Sequence, residues 1–417
     1  MKRVMWFTLI GGLLAGSVAW AEPVTLDQAV KEAVDKNLNL LAERFNVSIA
    51  DARILQAGLR PNPVFTYGQD YQNVFGTGLT NDNNGGPPEW NTRVDFTFER
   101  GAKRERRLDL ARAQKSVAEL ALLNTIRQLL IDVENAYVDA QSARDSLAIA
   151  RDNLKALQDV VDVNTSRVRA GDLAEVELNR SKLAALQYDN QVRTAELKLR
   201  SAILRLVLLM GRTGNQNIEV VGDLRADRPD IVSDQVREVA YNNRPDLLSI
   251  QRDQARSQAD IRLQVAQGKV DLDVGVIYHH QYGYAYANSM GFFVQAPIPV
   301  WNRNQGEIAR AKGEETQLQH RVDAMRAQID NEVKTAYDQW LTSRTLVDRI
   351  EKDMLQQARD VRDTTEYSYR RGEASFVEFL DAQRAYNDTM QGYADARADY
   401  ARNLYLLESV SGKGVNP

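Results

Sequence analysis

Glu378 and Asp381 are the residues whose type and spacing most invite a chemical reading. Three positions apart, they share one face of a helix. Repeated around a symmetry axis, such a pair forms rings of carboxylate, the arrangement by which cation pathways gather their ions. The plainer reading makes them solvated helix charges, or acids that complement the positive end of a helix dipole. His279 and His280 invite a metal. They are adjacent in a segment that alternates like a strand, so their imidazoles point to opposite faces, and no second cluster of soft ligands accompanies them. A surface role near an interface is the better reading, and neither a metal nor a cofactor is expected. Zincin, P-loop, dinucleotide-binding and triad patterns are absent, so the sequence does not read as an enzyme.

Two short turns stand out as places for a partner. Arg169-Ala170-Gly171-Asp172 and Arg370-Arg371-Gly372-Glu373 each separate two helical runs, with a glycine free to take the left-handed cap. A reversal needs a glycine in any case. Each turn is therefore either a structural cap or a binding tip.

The elements that position these residues come from a chain written twice. Ala33, Leu40, Leu41, Ala52 and Ile54 fall in register with Ala240, Leu247, Leu248, Ala259 and Ile261. Gly171, Val176, Glu177, Ala195, Leu199 and Gly211 fall in register with Gly372, Val377, Glu378, Ala396, Tyr400 and Gly412. Each half reads helix, strand, strand, very long helix, turn, helix. The expected division is 1–21 as a leader, 22–222 as the first repeat and 223–417 as the second.

In the first long helix, expected from about Lys103 to about Thr165, Ile126, Val133, Ala140, Leu147, Leu154 and Val161 step by seven. Leu129, Ala136, Ala143, Ala150 and Leu157 fill the second seam position, which is the pattern of a left-handed coiled coil. A returning helix over about Asp172 to Met210 shows the same seam, and a shorter helix is expected over about Leu26 to Leu59.

Four segments alternate with period two. Phe65, Tyr67 and Tyr71 alternate with Thr66, Gly68 and Asp70, and Val94, Phe96 and Phe98 with Arg93, Asp95 and Thr97. In the second half Leu272, Val274, Val276, Tyr278, Tyr282, Tyr284 and Tyr286 form one face, followed by Met290, Phe292, Val294 and Ala296. About ten residues is the length of a tilted transmembrane strand. The segment from Asn81 to Pro88 reads as an exposed loop. Four strands cannot close a barrel, and an open edge is not tolerated in hydrocarbon. Two chains supply eight strands, which side chains fill; three supply twelve, which surround water. A trimer is therefore expected, mainly α with a membrane β part: a 12-stranded barrel, four strands per chain, continued by a coiled-coil barrel of long helices.

Composition agrees. The 417 residues are 43% hydrophobic and 26% charged, with three histidines, no cysteine and a net charge of −4. That charge speaks against nucleic acid. Lys2, Arg3, the apolar run Val4 to Val18 and Ala19-Trp20-Ala21 match a secretory signal peptide, so the mature chain is expected to start at Glu22. The lack of cysteine leaves no residue for a lipoprotein anchor.

Ala57-Gly58-Leu59-Arg60-Pro61-Asn62-Pro63 and, more specifically, Pro297-Ile298-Pro299-Val300-Trp301-Asn302-Arg303-Asn304-Gln305-Gly306-Glu307 give the chain its likeness to a known family. It resembles the TolC-like outer-membrane factors, and among them the CzcC-type members of heavy-metal cation efflux systems. The resemblance implies an outer-membrane trimer with its helices in the periplasm, docked on a periplasmic adaptor and an inner-membrane resistance-nodulation-division pump. It implies a passive duct for cations of the cobalt, zinc and cadmium class. Multidrug or protein export is the alternative cargo, and a periplasmic coiled-coil scaffold without a pore is the alternative of another class. It also implies a periplasmic gate at Tyr369, Glu378 and Asp381, with the turns at 169–172 and 370–373 facing the adaptor. Ala374 stands where some members carry a gate arginine.

Overall fold

The structure is a computed structural model, and it describes residues 22–70, 89–213, 218–281 and 288–413. The leader, the loop from Asn81 to Pro88, and Tyr71, Tyr282, Tyr284 and Tyr286 lie outside the described residues. The elements run β1 (Glu22–Val24), α1 (Leu26–Lys36), α2 (Leu38–Gly58), β2 (Val64–Asp70), β3 (Glu89–Phe98), α3 (Lys103–Ala170) and α4 (Glu175–Leu209). The series then repeats as β4 (Ile218–Val220), α5 (Ser233–Asn243), α6 (Pro245–Gln267), β5 (Leu272–Gln281), β6 (Asn288–Gln295), α7 (Gln305–Arg349), α8 (Leu355–Arg371) and α9 (Phe376–Val410). At 68 residues, α3 is roughly 100 Å long at ~1.5 Å per residue. It runs five residues past the expected end at Thr165. Its counterpart is not one helix: a π-helical turn, Ile350–Met354, separates α7 from α8.

The chain forms two compact units, each drawing on both halves of the sequence. One unit, the hairpin unit, takes its described residues from Met1–Asn37, Leu129–Arg228 and Trp340–Tyr405. Its seam is the expected one: Leu129, Val133, Ala136, Ala140, Leu147, Ala150 and Leu157 of α3 are buried. Leu147 and Ala150 pack on Val192 and Ala195 of α4, with Leu154 and Leu199 beside them. Alanines at the second seam position let the two backbones approach closely. β1 pairs in parallel with β4, and the Tyr137 hydroxyl closes this small sheet by bonding to the carbonyls of Val24 (2.9 Å) and Val221 (2.6 Å).

The expected helix over Leu26 to Leu59 is broken, because Asn37 leaves helical geometry at ψ 122°. The Asn37 side-chain amide donates to the Leu209 carbonyl at 2.9 Å. Gly211, at φ +72°, lies so close that a Cβ on it would stand 2.2 Å from the Lys36 carbonyl oxygen. The end of α4 thus abuts the joint, and side-chain periodicity carries no sign of that.

The other unit, the strand unit, comprises Leu38–Gln128, Pro229–Gln339 and the described part of Leu406–Pro417. It repeats the joint at Arg244, also non-helical at ψ 118°, followed by Pro245 at the first position of α6. Gly412, at φ +74°, packs on the backbone of Asn243 and Arg244. Arg244 is buried and ion-paired to Asp246 and Glu332. Burial raises the Asp246 carboxyl, but the hydrogen bond and charge of Arg244, the charge of Arg127 and the Leu247 N–H together hold the group below the ordinary carboxylate range.

The strands of this unit form one antiparallel sheet in the order β2-β3-β5-β6. Phe65 faces Val94, Val94 faces Val276, and Val276 faces Phe292. The two central strands come from different halves of the chain, and β2 and β6 are the edges.

Candidate functional site

The two helix reversals of the hairpin unit are built alike. Gly171 (φ +86°) and Gly372 (φ +81°) each close a left-handed cap. The Gly171 N–H donates to Val168 and that of Asp172 to Arg167; the Gly372 N–H donates to Tyr369 and that of Glu373 to Ser368. This is the paired hydrogen bonding of a Schellman cap, which leaves the side chains free. Arg169, Asp172 and Glu373 are exposed, Arg370 pairs with Glu366 at 2.7 Å, and the Arg371 guanidinium lies over the Tyr367 ring.

Beside the second reversal, Tyr369 is buried in an apolar cluster with Leu157, Val160, Ala184, Tyr188, Phe376 and Phe379. Its ring stacks on Phe379 with centroids 5.4 Å apart. Its hydroxyl donates to Asn164 Oδ1 at 2.7 Å, joining α8 to α3. Burial pushes the phenol up, against the smaller effect of the Asn164 bond. Asn164 is fully buried, and its Nδ2 has no hydrogen-bond partner among the described residues.

Glu378 and Asp381 are both exposed in the first turns of α9, as their spacing requires. Glu378 has a local task. Its carboxylate accepts from the Ser375 N–H at 2.7 Å and the Ser375 hydroxyl at 2.9 Å, while the Ser375 oxygen accepts from the Glu378 N–H. This is a capping box, and the Ser375 N–H holds the carboxyl below its ordinary range. Asp381 pairs loosely with Arg384 at 3.6 Å. The reading of sequence named Tyr369, Glu378 and Asp381 but missed Asn164 and Ser375. The Ser-x-x-Glu spacing was available as a cap signal, whereas Asn164 lies 205 positions from its partner and leaves no local mark.

Along α3 a polar row accompanies the apolar seam. Asp139, Ser146 and Asn153 step by seven and meet Arg402 (2.8 Å), Gln391 (3.1 Å) and Gln383 (3.3 Å) of α9. Within this unit, α3 thus meets α9 through this polar row as well as through the apolar contact of Val138 with Ala398 and Ala401.

In the strand unit, the register sorts the sheet into two faces. One carries Phe65, Tyr67, Trp90, Val94, Phe96, Phe98, Leu272, Val274, Val276, Tyr278, Met290, Phe292 and Val294. The other carries Thr66, Asp70, Asn91, Arg93, Asp95, Thr97, Asp273, His279, Ser289 and Gln295. Val64, Ile277 and Phe293 are apolar exceptions on the polar face, and Gln69, Thr92 and Asn288 polar ones on the apolar face; Phe293 lies against Gly275 with the Arg93 guanidinium 3.6 Å above its ring. The apolar face is bare: Phe292 is 82% exposed and Met290 71%. His280 falls on the apolar face beside Trp90 and Tyr278, and its Nδ1 lies 2.8 Å from Asn288 Oδ1. His279 falls on the opposite face. The described residues contain no group of three or more His, Cys, Asp or Glu able to hold a metal ion, and no helix long and apolar enough to cross a membrane.

A twice-written chain of coiled-coil hairpins and strands with a bare apolar face is an outer-membrane export component. It belongs to the outer membrane efflux protein family, whose model matches residues 29–212 and again 236–413. The family's members are channels, not enzymes. The chain is similar to nodulation protein T of Rhizobium leguminosarum bv. trifolii, 24% identical over 97% of this chain and 89% of that protein. It is also similar to the cobalt-zinc-cadmium resistance protein CzcC of Cupriavidus metallidurans, 22% identical over 87% of this chain and 84% of that protein. The solved outer membrane channel CmeC of Campylobacter jejuni superposes with a TM-score of 0.78, covering 93% of this chain and 85% of that one at 13% identity.

Proposed function

We propose that three copies of this chain form a passive duct through the outer membrane for divalent metal cations of the cobalt, zinc and cadmium class. In this reading the coiled-coil helices extend into the periplasm to meet an adaptor and an inner-membrane pump of the resistance-nodulation-division class, which supplies the energy. The observation that carries it is the sheet of β2, β3, β5 and β6: four strands, a bare apolar face, a polar face and two unpaired edges. An unpaired edge in hydrocarbon costs several kcal/mol per backbone group, so copies must join β6 to β2 of a neighbour until a ring closes. Twelve strands leave the polar face around water. Exposed leucines on α4, at 183, 197 and 204, supply the apolar positions that neighbouring helices would cover.

Tyr369, Glu378 and Asp381 form the gate of this duct, with Arg169, Gly171, Asp172, Arg370, Arg371, Gly372 and Glu373 as its adaptor-facing tips. The test of assembly uses the absence of native cysteine. Cysteines placed on the outer edges, Thr66→Cys in β2 and Gln295→Cys in β6, should crosslink chains into a ladder ending at three. A ladder ending at two, or none, defeats the closure argument. Cargo is tested by deleting the gene and comparing zinc, cobalt, cadmium and drug sensitivity. Selective metal sensitivity is expected; selective drug sensitivity would reassign the duct to multidrug export.

A further inference from the structure

At one end of the sheet, the turns that join strands to helices bring together exposed apolar side chains and cations without acidic partners. Trp301 is 87% exposed and Ile298 84%, with Val300 beside them in the segment after β6. They follow β6 at the same end of the sheet at which the apolar face finishes with Phe98 of β3 and Leu272 of β5. Around them stand Arg60 before β2, Arg100 after β3 and Lys269 before β5, all exposed. The neighbouring cations are occupied: Arg107 pairs with Glu99, Lys103 with Asp271, and Arg104 donates to the Gly58 carbonyl. Arg60, Arg100 and Lys269 have no carboxylate within ion-pair distance among the described residues. The stem of Lys269 lies over Gly101, which, at φ +76°, has no Cβ to obstruct it.

The opposite end is different in composition. The connections from β2 to β3 and from β5 to β6, residues 71–88 and 282–287, contain no lysine or arginine. Apart from Arg93 in the middle of β3, the lysines and arginines of the strands and their connections therefore lie at the end where strands meet helices. Tryptophan beside an apolar band belongs at the headgroup level of a bilayer, and unpaired lysine and arginine beside it attract lipid phosphate.

We infer that Arg60, Arg100, Lys269 and Trp301 form a collar that binds anionic phospholipid headgroups at the inner surface of the outer membrane. The inference rests on reading β2, β3, β5 and β6 as membrane strands. Trp301 and Ile298 enter the interfacial layer, and the three cations hold the phosphates of adjoining lipids. Repeated by each copy in a ring, the collar sets the depth of the barrel from its helical side.

The test is fluorescence quenching of the full-length protein in vesicles containing brominated phosphatidylglycerol or brominated phosphatidylcholine, with Trp301→Phe isolating that residue's share. Quenching of Trp301 should be at least about twofold stronger with phosphatidylglycerol, and the preference should fall at high salt. It should vanish in the triple variant Arg60→Gln, Arg100→Gln, Lys269→Gln. Equal quenching by both lipids with the wild-type chain overturns the headgroup preference, and no quenching of Trp301 by either overturns the collar. Conductance of the same vesicles separates the two proposals. A conducting protein with an unquenched Trp301 loses the collar and keeps the duct, whereas a non-conducting one loses the duct.

Discussion

Tyr369 and Asn164 form a buried pair in which one hydrogen bond is made and one amide donor is left over. Tyr369→Phe removes the donor to Asn164 Oδ1 and should destabilise the hairpin unit by about 1–3 kcal/mol. Replacing both, as Tyr369→Phe with Asn164→Leu, removes every unmet polar group at the site. It should cost less than either single change, as a double-mutant cycle of thermal unfolding would reveal; additive losses would contradict the coupling. Glu378 should carry a pH dependence. Its carboxyl is held low in the folded chain, so its cap is complete above the ordinary carboxylate range and is lost as pH falls through the depressed value. Relative to the intrinsic exchange rate at each pH, protection of the amides at residues 376–379 should fall on acidification in the wild-type chain and be low at all pH in Glu378→Ala, which removes the cap. The acidic pair was legible because helix spacing is local. The capping of Glu378 was legible too, as Ser-x-x-Glu and as an acid at the positive end of a helix, beside the ring of charge. Asn164 was not legible, since only the folded packing of α3 against α8 brings it to Tyr369.

Among the described residues four glycines end helices in positive φ, but their surroundings differ. Gly171 has nothing within 4 Å of an added Cβ, so Gly171→Ala should cost only the left-handed penalty of about 1–2 kcal/mol. Gly211 meets the Lys36 carbonyl at 2.2 Å, and Gly211→Ala should cost clearly more and disturb the joint between α1 and α2. Equal midpoints for the two variants in denaturant titration would refute the packing of that joint. In the second half, Arg244→Met should cost about 3 kcal/mol or more, because Asp246 and Glu332 lose their buried partner. Long elements were the most legible part of the sequence: a seven-residue step over five heptads fixes both the helix and its buried face. The joints at Asn37 and Arg244 were not, because each is made by a distant helix end pressing on the chain. The π-helical turn at Ile350–Met354 was hidden for a similar reason, since one extra residue inside an amphipathic pattern changes no residue type.

For the whole molecule, the duplication and the alternating strands were readable, and family membership follows from a model that matches both halves. Cargo was not readable. Similar proteins include one for nodulation and one for metal resistance, and the polar face of the sheet is mixed in charge. A duct that encloses water needs only polar lining and closure, so its wall records little of what passes. Neutralising the acidic pair, as Glu378→Gln with Asp381→Asn, should reduce the preference of the open channel for cations over anions in reversal-potential measurements. An unchanged preference would leave Glu378 as a helix cap and nothing more.

Recording single channels from the purified wild-type protein in a planar lipid bilayer, after its mass has been measured in detergent, tests the enclosed water path most directly. A mass of three chains and discrete, steady conductance steps are the result this account predicts. A monomer that stays in water without detergent and leaves the bilayer silent would contradict it.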